Sequence, residues 1–141
     1  MKWIDRQVAR AVAAGRVGTP VALRAFLYLS EDHGRLMETV GAVLAAAGGW
    51  FSSPARRLYA LGGAAHGEIT VLAEFAGGQT ALISAGLLRG PAPLANILVI
   101  GNKGTLRFEG PAVPEPAPPA VRRLLSAVER SLASGAAVEV G

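Results

Sequence analysis

The chain has 141 residues, of which 51% are hydrophobic and 17% are charged, and its net charge is +4. This length predicts one domain, residues 1–141, with a single buried core. The longest weakly polar run, residues 39–51, is too short for a membrane-spanning helix, which needs roughly 20 residues. Charged residues follow Met1 at once, so the chain does not begin like a signal peptide. We therefore expect a soluble, cytoplasmic protein without membrane contact.

The absence of certain residue types and patterns limits the kinds of binding site that the chain can form. The chain has no cysteine, which excludes disulfides and thiolate metal sites. His33 and His66 are far apart in the sequence, so we expect no metal site either. The only basic pairs are Arg56-Arg57 and Arg122-Arg123, and no basic run is interleaved with aromatic residues. Nucleic-acid binding typically needs a denser basic surface, so we expect no nucleic-acid partner.

Apolar residues at helical spacing predict three helices, over residues 4–12, 36–47 and 121–132. Glycine is typical of helix ends because it adopts the left-handed conformation without steric cost. Each predicted helix is followed by glycine, which places the three ends at Gly15, at Gly48-Gly49 and at Gly135.

Between the helices the pattern is that of strands. One apolar strand is predicted over residues 21–29. After Pro54 the side-chain period changes to two, which is typical of strands. Gly77-Gly78 and Asn102-Lys103-Gly104 are typical of tight hairpin turns, and strands joined by such turns run antiparallel. The further strands are predicted over residues 57–62, 68–75, 79–87, 94–100, 105–108 and 137–140.

The strand over residues 94–100 is apolar on both sides, since Ile97 and Val99 alternate with Leu98 and Ile100. A sheet with one wet face would alternate between apolar and polar residues. The sequence therefore predicts an α+β fold with one mainly antiparallel open sheet of about six or seven strands. We expect two to three helices on one face and oligomerisation through the other, as a homodimer.

Two consecutive segments, residues 74–85 and 97–108, resemble the C-terminal substrate and oligomerisation domain of the glucose-fructose oxidoreductase / inositol dehydrogenase / MocA family. In that family a glycine-containing hairpin precedes a second hairpin with the pattern I-x-G-x-x-G-T-L. The order of the remaining motifs agrees over nearly the whole chain. Residues 12–20 resemble the segment through which the family's chain enters this domain. Residues 34–51 resemble its catalytic helix, and residues 125–140 resemble its closing helix and terminal strand.

The resemblance implies that this chain has the fold of the family's C-terminal domain but does not hold the cofactor that family members bind. Family members begin with a Rossmann domain, which holds NAD(P) through a glycine-rich turn and also supplies the catalytic lysine. Residues 1–141 contain no G-x-G-x-x-G pattern. We therefore expect no cofactor and no nucleotide-binding domain in this chain, and no hydride transfer by this chain alone.

The family's catalytic helix reads G-x-x-x-D-x-G-x-H-x-x-D, with its acidic residue and histidine one turn apart. From Gly34 these positions fall at Glu38, Ala42 and Ala45. Alanine cannot take a proton, so the resemblance predicts that the carboxylate is kept and that the imidazole is lost. We expect no catalytic residues, which makes this chain a pseudoenzyme.

The same resemblance suggests a candidate ligand pocket around His33, Arg35, Glu38 and Trp50. Simpler interpretations exist for two of these residues. His33 is typical of an exposed residue near a helix start, and Trp50 with Phe51 is typical of an anchor that holds a helix on a sheet.

The sequence therefore predicts a non-catalytic domain that acts by sheet-mediated association, as a homodimer or with a partner subunit. One alternative is an accessory subunit of a split NAD(P)-dependent sugar or polyol dehydrogenase, whose full-length partner contains the Rossmann domain. A second alternative is a binder of a small sugar-like ligand.

Overall fold

The computed structural model describes residues 2–30, 35–89, 92–112 and 119–141. In this part of the chain it has three α-helices and seven strands, so the predicted α+β class is confirmed. Single 3₁₀ turns lie at Ala64–His66 and Pro119–Val121. The elements in chain order are α1 Lys2–Ala13, β1 Pro20–Ser30, α2 Leu36–Phe51, β2 Ala55–Gly63, β3 Glu68–Phe75, β4 Thr80–Leu88, β5 Leu94–Gly101, β6 Gly104–Gly110, α3 Arg122–Ser134 and β7 Val138–Glu139.

The seven strands form one sheet with the order β6-β5-β1-β4-β3-β2-β7. Neighbouring strands pair antiparallel, except that β1 and β4 pair in parallel. The predicted hairpin turns join β3 to β4 and β5 to β6. In the first of these turns Gly78 has a φ of 91°, which a residue with a side chain rarely adopts. The sheet is therefore mainly antiparallel, as the sequence predicts.

The helices pack against one face of this sheet. α1 buries Ile4, Val8 and Ala11, and α2 contacts β1, β3 and β4 near the middle of the sheet. Toward these helices β1 presents Leu23 and Leu27, both fully buried. Burying such side chains contributes about 1.5–3 kcal/mol each, so this layer supplies most of the stability of the fold.

The predicted end of α2 at Gly48-Gly49 is wrong, because the helix continues through both glycines to Phe51. Ser52 ends it in the left-handed conformation, and the amides of Ser52 and Ser53 donate to the carbonyl oxygens of Gly49 and Gly48. Each glycine costs the helix about 1 kcal/mol. Burial of the last helical turn against the sheet offsets this cost.

That last turn holds Trp50 and Phe51, which are buried. The ring of Phe51 meets the ring of Phe75 on β3 edge to face, with 4.9 Å between centroids. The indole Nε1 of Trp50 donates a hydrogen bond of 2.8 Å to Oδ1 of Asp5 on α1. Phe51 therefore anchors α2 on the sheet, as the simpler interpretation of this pair predicts, while Trp50 ties α2 to α1.

At the far side of the sheet β7 is short, and its register with β2 covers only Arg57 and Leu58. The amide of Ala60 on β2 instead donates 2.8 Å to Oγ of Ser131 on α3. The same hydroxyl donates 2.7 Å to the carbonyl oxygen of Ala136. Ser131 is fully buried, so one side chain satisfies two backbone groups that β7 leaves unpaired.

We predict that Ser131→Ala lowers the free energy of unfolding by about 1–3 kcal/mol, because it leaves a backbone donor and a backbone acceptor without partners. Ser126→Ala, on the exposed side of the same helix, should change stability by less than about 0.5 kcal/mol. Urea denaturation of both variants measures the difference. Equal stability of the two variants would contradict the assigned role of Ser131.

The contact between α1 and α2 gives a second prediction. Trp50→Phe removes the indole donor and Asp5→Ala removes its acceptor, and each should lower stability by about 1 kcal/mol or more. Because both changes remove the same hydrogen bond, the double variant should be about 1 kcal/mol more stable than additivity predicts. Denaturation of the four proteins measures this coupling, and Arg6→Ala on the exposed side of α1 is the control. Strict additivity would show that the contact contributes nothing.

Candidate functional site

The sheet has one face that its own helices do not cover, and we call it the open face. It consists of the even-numbered residues of β1, β3, β4 and β5 and the odd-numbered residues of β2 and β6, which alternate with the buried side chains. The cross-strand register places these residues in rows across the sheet. One such row runs Leu98, Arg24, Leu82, Leu72 and Tyr59, from β5 to β2.

The open face exposes several large apolar side chains among its polar residues. Among the described residues seven large hydrophobic side chains are exposed, and six of them lie on this face. The seventh is Val21, beside an irregularity at the start of β1. A clustered apolar surface of this kind is typical of an interaction site. The six residues are Phe26, Tyr28, Leu61, Leu72, Leu88 and Leu94.

Two aromatic side chains mark the middle of the open face. Phe26 is 50% exposed and Tyr28 is 38% exposed, and both lie on β1. In register Phe26 lies between Asn96 on β5 and Ser84 on β4, which are smaller and polar. The sequence indicates a strand here, but both of its faces are apolar, so alternation alone could not tell which residues are buried.

Polar groups on the open face bond mostly to one another. Thr70 donates to Glu68 and also shares a hydrogen bond of 3.1 Å with Ser84. Asn96 donates 2.8 Å to Glu109. These groups keep their hydrogen bonds without help from another molecule. The described residues hold no group of three or more potential metal ligands.

Glu38, Ala42 and Ala45, the three positions at which the resemblance predicts the family's catalytic residues, share one side of α2. Glu38 and Ala42 are half-buried and Ala45 is exposed, and their spacing places them along one outer ridge of the helix. This ridge therefore presents one carboxyl and two methyl groups.

The residues of the predicted ligand pocket are not all neighbours. Arg35 immediately precedes α2 and Glu38 lies in its first turn, and both are half-buried. Trp50 lies twelve residues after Glu38, which is about 18 Å along the helix axis. Its ring is buried and bonded to Asp5. His33 lies outside the described residues.

No helix in the described part of the chain is both long and apolar enough to cross a membrane. No protein-family model matches the sequence, and none of the curated proteins does. Solved structures, in contrast, match the fold closely.

The matching structures include dehydrogenases and other oxidoreductases. A scyllo-inositol dehydrogenase from Lactobacillus casei matches 96% of this chain with a TM-score of 0.77 at 10% identity. A myo-inositol 2-dehydrogenase from Lactobacillus plantarum matches 97% with a TM-score of 0.74 at 11% identity. An oxidoreductase domain protein from Kribbella flavida matches 97% with a TM-score of 0.72 at 14% identity.

This chain covers 60%, 61% and 62% of those three chains, so it spans less than two thirds of their length. At these identities the likeness concerns the fold. The predicted resemblance is confirmed at that level: the chain has the fold of the C-terminal domain of the glucose-fructose oxidoreductase / inositol dehydrogenase / MocA family.

Proposed function

We propose that residues 1–141 form a non-catalytic association domain, in which two copies pack their open faces against each other as a homodimer. The observation that carries this proposal is the cluster of exposed apolar side chains on a face that the helices leave uncovered. Exposed apolar area is unfavourable in water, and a second copy offers a surface of matching size and shape.

The size of the face fits this proposal. Neighbouring strands lie about 4.8 Å apart, and side chains on one face recur about every 6.8 Å along a strand. Six strands of the sheet carry up to about four such rows, which gives roughly 800 Å² per copy. This is the area per partner of a standard stable interface.

The chemistry of the face also fits an interface. Phe26 lies near its middle and Tyr28 in the next row, and exposed aromatic side chains within a patch are typical of binding hot spots. Polar and charged residues occupy much of the periphery, including Glu74 and Arg56, whose side chains lie 3.7 Å apart. A central apolar region with a polar rim is the usual arrangement of protein interfaces.

The non-catalytic part of the proposal depends on α2. The positions that correspond to the family's histidine and second aspartate are Ala42 and Ala45, and neither can move a proton. One matching enzyme, the scyllo-inositol dehydrogenase of Lactobacillus casei, is solved with NAD(H) and scyllo-inositol. For this chain we propose neither ligand, because Glu38 alone does not supply an acid–base pair.

A second candidate function uses the outer ridge of α2 instead of the open face. In an accessory subunit, the small side chains of Ala42 and Ala45 would let a cofactor-carrying partner approach closely. The two surfaces can be separated by mutation. A partner that binds the ridge would be lost from pull-downs with Ala45→Arg and retained with Phe26→Asp.

We predict that Phe26→Asp raises the dissociation constant of the homodimer by more than about 100-fold. The change removes an aromatic side chain from each of two symmetry-related sites, and burial of each such side chain contributes about 1.5–3 kcal/mol. It would also bury a charge at each site. Size-exclusion chromatography with light scattering at micromolar concentration measures the loss. Ala9→Asp, on the exposed side of α1, introduces the same charge away from the face and should leave the dimer intact.

Circular dichroism should show that both variants are folded. If folded Phe26→Asp retains the mass of the wild-type dimer, the open face is not the interface.

A further inference from the structure

The charges of the open face are separated into adjacent rows. The row of Leu98, Arg24 and Leu82 ends on β6 at Arg107, and we call it the basic row. The next row contains Asn96 and Phe26 and ends on β6 at Glu109, and we call it the acidic row. Arg107 and Glu109 are two residues apart on the same side of one strand, about 6.8 Å from each other.

Both end residues are available to a second molecule. Arg107 and Glu109 are exposed, and within the described ranges neither forms an ion pair. Glu109 accepts one hydrogen bond, from Asn96, and keeps its other carboxylate oxygen free of hydrogen bonds from described residues. Arg24, in the same row as Arg107, is half-buried, and its guanidinium group donates to the carbonyl oxygen of Leu23.

Symmetry limits how two open faces can meet. A two-fold axis that brings one face onto its copy must lie between the two sheets, and packed sheets keep their strands within about 30° of alignment. The axis can then run along the strands, so that each row faces itself. Alternatively it can run across the strands, so that each strand faces itself and neighbouring rows change places.

The charges favour the second arrangement. With the axis along the strands the basic row faces itself, and because Arg107, Leu98, Arg24, Leu82, Leu72 and Tyr59 include no acidic residue, neither arginine of the row meets a carboxylate of the second copy. With the axis across the strands and between the two rows, the basic row faces the acidic row. Arg107 then faces Glu109 of the second copy, twice by symmetry, and Arg24 lies over the ring of Phe26, which is a favourable cation–π contact.

We propose, on the basis of the homodimer proposed above, that its two-fold axis runs across the strands between these rows. Reciprocal pairing of Arg107 with Glu109 then sets the orientation of the two copies. Exposed ion pairs contribute little affinity but discriminate strongly between orientations. The specificity of this interface for a second copy of the same chain therefore lies in these two residues.

The same orientation brings Glu68 of one copy opposite Glu74 of the other, since both lie on β3 in the rows that flank the two charged rows. Two arginines offset this like-charge contact at the corner around Glu74. At that corner Arg56 and Arg57 lie beside Glu74 and Glu139, so the corner is close to neutral. Glu68 also retains its hydrogen bond from Thr70.

A charge exchange between chains tests the orientation. Arg107→Glu opposes two carboxylates and Glu109→Arg opposes two guanidinium groups, so each variant alone should dimerise about tenfold more weakly than the wild type. Mixed in equal amounts, the two variants restore both ion pairs in the heterodimer. Native mass spectrometry should then find about nine-tenths of the dimers as heterodimers, against about one half for a random mixture.

The matched control is the double variant Arg107→Glu, Glu109→Arg, which reverses both pairs within one chain and should dimerise like the wild type. Thermal melting of each variant should show that the monomer fold is unchanged. Single variants that dimerise like the wild type and mix at random would overturn the proposed orientation while leaving the open-face homodimer in place. A wild type that stays monomeric would instead overturn the proposed function, and this inference with it.

Discussion

The rest of the structure depends on one constraint: the side chains of a strand alternate between the two faces of the sheet. Both faces of this sheet carry large apolar side chains, and the helices cover only one of them. Neighbouring residues of a strand point to opposite faces, so Leu27 in the core requires Phe26 and Tyr28 on the other side. The helices bury only the first face. The second face therefore exposes apolar side chains to water in the isolated chain, and it is the surface that we propose for binding.

The other parts of the fold maintain this one-sided arrangement. Phe51 holds α2 on the covered face, and Trp50 bonds to Asp5 of α1. Ser131 completes the hydrogen bonding of β2 where β7 ends. The chemistry proposed for the molecule follows the same division. Of the three predicted acid–base positions on the outer ridge of α2, Glu38 alone has a carboxyl group. The open face has the exposed aromatic residues and polar rim on which we base the proposed interface.

Helices, strands and hairpins could be predicted because their signals are local: helical spacing, two-residue alternation, and glycine at turns. The end of α2 could not, since burial of Trp50 and Phe51 by distant strands outweighs the local cost of Gly48 and Gly49. The pattern of β5 did indicate two apolar faces. Local patterns do not contain the strand order, and two features depend on it. One is which face the helices cover, and the other is the set of rows that places Arg107 and Glu109 side by side at one edge.

Association through the open face is the central claim, and sedimentation equilibrium of the wild-type chain over a range of micromolar concentrations tests it most directly. The account predicts a self-association that converges on twice the 14.4 kDa mass of the chain as concentration rises. A mass of one chain at every concentration would contradict it.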